Sequence, residues 1–151
     1  MANTYSAINF HIVFSTKKRQ PLIIPALEPR LNAYLTTYLQ SERCYVKAIG
    51  GMADHIHLLI NVPPSKAPSD IVRKIKGASS HWVNQLPDGI ANTFGWQDGY
   101  AIYSVSASAL ASVSSYIFNQ KQHHAQRDFQ SEYKELLKLH GISFEDAYVF
   151  D

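Results

Sequence analysis

Stretches where apolar and polar positions alternate one for one, and others where apolar residues return every three or four positions, lay out most of this chain. From Ala7 to Ser15, Ile8, Phe10, Ile12 and Phe14 fall on one face and Asn9, His11, Val13 and Ser15 on the other, which predicts a half-buried strand. Lys17-Lys18-Arg19 and the prolines at 21, 25 and 29 lead into a helix striped by Leu27, Leu31, Leu35, Tyr38 and Leu39, ending near Ser41. Cys44 to Ile49 reads as a second strand, with Gly50-Gly51 expected to turn into a third that carries His55, Ile56, His57, Leu58, Ile60 and Val62. Pro63-Pro64 closes it. Ser69 is placed to cap a helix bearing Ile71, Val72, Ile75, Trp82, Val83 and Leu86. Residues Pro87 to Asp98 read as a loop and Tyr100 to Val105 as a fourth strand.

The order β-α-β-β-α-β predicts an α+β, ferredoxin-like fold: an antiparallel sheet with its first and third strands at the centre and both helices on one face. A C-terminal helical pattern from Ser108 to His124 is additional to that core. Its apolar stripe is Leu110, Val113 and Ile117, while Tyr116, Gln120, His123 and Arg127 line another side. A shorter helix over Phe129 to Leu139 precedes an apolar tail, Ile142 to Phe150, which is expected to pack on something.

With 151 residues and neither a repeat nor a linker, the chain reads as one domain over 1–151. Hydrophobic residues at 46% and charged residues at 17% fit a globular protein. Cys44 stands alone, so no intramolecular disulfide is expected. Neither a secretory leader nor an apolar run of the roughly 18 to 20 residues needed to span a bilayer is evident, which predicts a cytoplasmic protein without a membrane partner. A net charge of +2 permits nucleic-acid binding only through locally grouped basic residues.

The candidate chemistry centres on His55 and His57. On a strand, both project to one face, where their ring nitrogens can converge on a divalent metal while Ile56, Leu58, Ile60 and Val62 anchor the other face. That histidine face is expected to be free, with His11 sharing it. Spacing alone does not make a site. Tyr116 and Gln120, one helical turn apart, add a nucleophile and an amide ligand on a common face; Asn119 competes with Gln120 for the ligand role.

Taken together, His55-Ile56-His57, Tyr116 with Gln120, and Tyr116-Ile117-x-Asn119-Gln120-x-x-His123-His124 resemble the single-tyrosine HUH transposases of bacterial and archaeal insertion sequences, the IS200-like family. Further matches run from His11-Ile12-Val13-Phe14-Ser15-Thr16-Lys17 through Lys76-Gly77-Ala78-Ser79-Ser80 to Gly99-Tyr100 and Ser104-Val105-Ser106. Ala53 and Ser106 depart from the proline and glycine common there, at positions that do no chemistry.

The resemblance implies cleavage and rejoining of single-stranded DNA at hairpin-bearing ends, with Tyr116 attached to a 5′ phosphate. It implies His55, His57 and Gln120 as ligands to Mg²⁺ or Mn²⁺, and a nucleoid-associated location during action. It also implies a homodimer in which Tyr116 and Gln120 of one subunit complete the site begun by His55 and His57 of the other. The alternatives are a non-cleaving module that binds structured single strands and a domesticated relative that mobilises nothing. Tyr100, Tyr103 and Tyr133 are read as packing residues; His81 and His140 as structural or solvated; His11, His123 and His124 receive no catalytic role. A subset of Lys17, Lys18, Arg19, Arg73, Lys74, Lys76, Lys121 and Arg127 is expected to contact phosphates.

Overall fold

Strands β1 (Asn9–Ser15), β2 (Tyr45–Met52), β3 (His55–Asn61) and β4 (Ala101–Ser104) form one antiparallel sheet in the order β2-β3-β1-β4 in the computed structural model. It describes residues 2–88 and 93–150, so residues 89–92 of the expected loop lie outside the described residues. The first and third strands are central, as the pattern predicts. Their alternation sorts two cores. Ile12, Phe14, Ile56, Leu58 and Ile60 pack beneath α1 (Glu28–Ser41) and α2 (Pro68–Asn84), the two helices expected on that face.

The opposite face is not free. Val13, Ala101 and Tyr103 are covered by α5 (Phe129–Leu139) and by Phe144, Val149 and Phe150 of the tail. Ala48 and Leu59 are covered by α3 (Leu110–Phe118), through the fully buried Ile117. Burial of an isoleucine is worth about 2–3 kcal/mol, which gives the tyrosine-bearing helix a strong reason to return to its own sheet. Part of the apolar tail thus packs within the chain, while Ile142 and Tyr148 stay exposed.

Three local expectations shift. Gly50 and Gly51 lie inside β2, and the turn falls at Ala53-Asp54. A β-carbon on Gly50 would stand 2.4 Å from the Ile117 carbonyl oxygen. The glycine is therefore a contact surface for α3 rather than a turn former. Helix α2 begins at Pro68, with Ala67 as N-cap and no side-chain cap; Ser69 already lies within the first turn, where proline's fixed φ starts the helix. The expected continuous helix from Ser108 to His124 is broken at Asn119 (φ −97°, ψ 19°), between α3 and the single turn α4 (Gln120–His123). Among the described residues, no helix is long and apolar enough to cross a membrane.

Candidate metal and tyrosine site

His55 and His57 project from β3 toward α3–α5, and neither has any exposure. His11, from β1, joins them: its Nε2 is 2.8 Å from His57 Nδ1. From the turn before β3, Asp54 Oδ1 lies 2.7 Å from His55 Nδ1. Each histidine of the pair therefore has its Nδ1 occupied and its Nε2 directed inward. A side-chain partner on the second ring nitrogen is the usual means of orienting a metal-binding imidazole.

Both Nε2 atoms face groups from the helical layer. His55 Nε2 is 3.1 Å from Gln120 Oε1, and His57 Nε2 is 3.0 Å from Glu132 Oε1. Glu132 Oε1 is also 3.5 Å from His55 Nε2 and 2.9 Å from His124 Nε2. Its second oxygen accepts from Gln120 Nε2 at 3.0 Å and from the Tyr116 hydroxyl in a short hydrogen bond. Gln120 and Glu132 are as buried as the histidines.

The donor atoms of His55, His57 and Glu132 all lie within 4.8 Å of one another, a grouping that could hold a metal ion. Ligands about 2.1 Å from a common ion stand roughly 3 Å from their nearest neighbours. The separations of 3.0, 3.1 and 3.5 Å among His57, Glu132, His55 and Gln120 are of that size. Two imidazole nitrogens with two oxygens form a mixed donor set suited to a divalent first-row cation or magnesium.

Electrostatics follow from burial. Desolvation pushes His57 down to about 4 and His11 to about 3, so both rings are neutral near pH 7. Burial alone would raise the Glu132 carboxyl, but hydrogen bonds from His124 and His57 outweigh it and hold the group below the usual carboxylate range. His124 is raised: burial opposes its charge, and the Glu132 contact overcomes that. Burial and then the Glu132 hydrogen bond raise the Tyr116 phenol well above its ordinary value.

All four sequence-predicted site residues are brought together within one chain, where the sequence reading expected Tyr116 and Gln120 to complete a partner's site. Ile117 of α3 packs on Ala48 and Leu59, and the helix backbone rests on Gly50, which sets Tyr116 over the histidines of its own chain. Despite the break at Asn119, the stripe survives: His123 lies 4.9 Å from the Tyr116 ring, and Arg127 Nη2 is 3.2 Å from its hydroxyl. Tyr103 and Tyr133 are buried packing residues, as expected.

Sequence reasoning missed Glu132 and Asp54. A signal for Glu132 was present: it falls between Phe129 and Tyr133, Leu136 and Leu137, at i+3 on the buried stripe of α5, where a carboxylate calls for partners. Asp128 sets that helix in place as its N-cap, accepting from the Ser131 backbone N–H at 2.9 Å.

A four-stranded antiparallel sheet, two helices on one face, and a histidine pair set against a helical tyrosine define a fold shared with tyrosine transposases. The family described as "Transposase IS200 like" matches residues 4–120, and this chain belongs to it. The ISDra2 transposase TnpA of Deinococcus radiodurans is 26% identical over 117 residues, 75% of this chain and 84% of that protein. A crystal structure from Deinococcus radiodurans shares the fold with a TM-score of 0.62, covering 80% of this chain and 96% of its own at 24% identity. So does a REP-associated tyrosine transposase bound to a REP hairpin, with a TM-score of 0.62 and 13% identity over 82% of this chain and 73% of that one. Glu132 and Arg127 lie beyond the family-matched segment.

Proposed function

We propose that this transposase cleaves and rejoins single-stranded DNA at hairpin-bearing ends, with Tyr116 as nucleophile. The observation that carries this reading is the meeting of the half-buried Tyr116 hydroxyl with the buried Gln120, Glu132, His55 and His57. In the reaction, the Tyr116 Oη–phosphorus bond forms and the bond from phosphorus to the 3′ oxygen breaks. The phenolic proton has an acceptor already in place in Glu132 Oε2, and the departing 3′ oxygen takes a proton from water. The 5′-phosphotyrosine keeps the bond energy, so attack by a 3′ hydroxyl reverses the step without a nucleotide cofactor.

His55, His57 and Gln120 are the proposed ligands for Mg²⁺ or Mn²⁺, and the geometry adds Glu132 to them. A cation held by these residues would supply Lewis-acid polarisation of the scissile phosphate and offset the charge developing on it. Asp54 and His11 fix the two imidazoles. A hairpin-bound structural neighbour supports hairpin DNA as the substrate class. Because one chain carries a whole set of site residues, a homodimer on this reading holds two complete sites.

The test uses a pool of labelled single-stranded oligonucleotides, each with one hairpin flanked by randomised nucleotides, incubated with the protein and Mn²⁺. A denaturing gel should show a covalent adduct with the wild type and none with Tyr116→Phe, His55→Ala or His57→Ala. DNA binding without any adduct across the pool would leave the non-cleaving module as the better reading.

A further inference from the structure

Two groups touch the Tyr116 oxygen, and they differ in kind. Glu132, on the buried side, accepts its proton; Arg127 Nη2 donates to it at 3.2 Å. Arg127 stands in the connection between α4 and α5, with its side chain about one-third exposed. Its other terminal nitrogen, Nη1, forms a short ion pair with Glu135 on α5. Glu135 is itself mostly exposed, so the pair orients the guanidinium without cancelling its field through a dry medium.

The position is open on one side. Arg127 borders a solvent-facing cleft of about 600 Å³ shared with Asn119, Gln122, His123 and Gln126, all polar. A DNA backbone entering there meets the guanidinium next to the nucleophilic oxygen. Arginine's planar fork can donate to two oxygens at once. Charge flows during the reaction from the phenolic oxygen to the non-bridging oxygens of the phosphate, and a donor bonded to both is favoured along the path.

We propose that Arg127 is a catalytic residue, whose guanidinium holds the Tyr116 oxygen and the attacked phosphate together and stabilises the negative charge passing between them. This rests on the reading of Tyr116 as the nucleophile. Glu135 is a positioning residue that aims the fork. The same positive charge opposes the upward push of burial and Glu132 on the phenol.

The experiment measures single-turnover adduct formation on the hairpin oligonucleotide pool with Mn²⁺, alongside DNA affinity and thermal melting. Arg127→Ala should slow adduct formation by about 100-fold, the usual cost of losing one transition-state donor. Its melting temperature should stay near that of the wild type, and its DNA affinity should fall far less than the rate. Added guanidinium ion should restore part of the Arg127→Ala rate and do nothing for His57→Ala. Arg127→Lys should recover less than the rescued alanine variant, because an ammonium cannot fork. A wild-type rate in Arg127→Ala overturns the proposal. So does a rate loss matched by an equal affinity loss with no guanidinium rescue, which makes Arg127 a binding residue only. If the wild type forms no adduct, or Tyr116→Phe forms as much, the tyrosine reading fails first and Arg127 falls with it.

Discussion

Glu132 Oε1 stands 3.0 Å from His57 Nε2, with both side chains wholly buried. A carboxylate kept ionised beside a neutral imidazole is an arrangement that a cation completes. Glu132→Gln preserves the shape and removes the charge. It should weaken Mn²⁺ binding by about 10- to 100-fold, the range found when metal-site partners are altered. Calorimetric titration of the DNA-free protein reads this directly, and equal affinity would remove Glu132 from the metal site.

Asp54 meets the other histidine at its outward nitrogen, 2.7 Å from His55 Nδ1, from a one-third exposed position. Asp54→Ala should cost Mn²⁺ affinity about 10-fold through misorientation of the ring. The fold should persist. A circular dichroism melt beside the titration separates the two effects.

Protonation of the metal-free protein gives a third expectation. His11 and His57 titrate at about 3 and 4 in the folded chain, below the ordinary histidine value. The unfolded chain therefore binds more protons between about pH 6.5 and 4, and stability falls as pH is lowered through that window, by on the order of a few kcal/mol in all. The low pKa of the Glu132 carboxyl adds to the loss in still more acidic solution, whereas His124, raised, works in the opposite sense. Melting temperatures in chelator at pH 7.5, 6 and 5 should decline in order; a flat series would mean that these imidazoles are not buried neutral.

Two glycines make a matched pair. Gly50→Ala drives a methyl into the Ile117 backbone and should destabilise by about 1–3 kcal/mol, with adduct formation falling as α3 lifts. Gly77, exposed within α2, has nothing within 4 Å of an added methyl, and Gly77→Ala should stabilise by roughly 0.5–1 kcal/mol. Urea unfolding of both variants tests the packing assignment, which fails if Gly50→Ala is neutral.

Much of this was legible in the sequence because alternation and helical stripes report burial on one face at a time. The alternation of β1 and β3 placed His11, His55 and His57 together, and α5 spans the residues expected of it, Phe129–Leu139. What stayed hidden was the cover on the histidine face. His55 and His57 are polar, so their strand reads as open on that side; the elements that bury them come from 50 or more residues further along the chain. Glu132 was lost for the same reason, since a glutamate on a helix ordinarily marks solvent. Gly50 and Gly51 were read by their backbone freedom, although it is their lack of side chains that α3 and the neighbouring strand use.

The near-zero exposure of His55, His57, Gln120 and Glu132 has a bearing on the fate of a phosphotyrosine formed beside them. Such a bond is open to hydrolysis wherever water can line up behind phosphorus, and each hydrolysed link is a DNA end that can no longer be resealed. On the proposed reading, the buried side of the site excludes water while bound DNA fills the open side at Arg127, and the tethered strand waits for a hydroxyl delivered by DNA. A site dry on one side and closed by its own substrate on the other is what turns a nuclease-like attack into strand exchange.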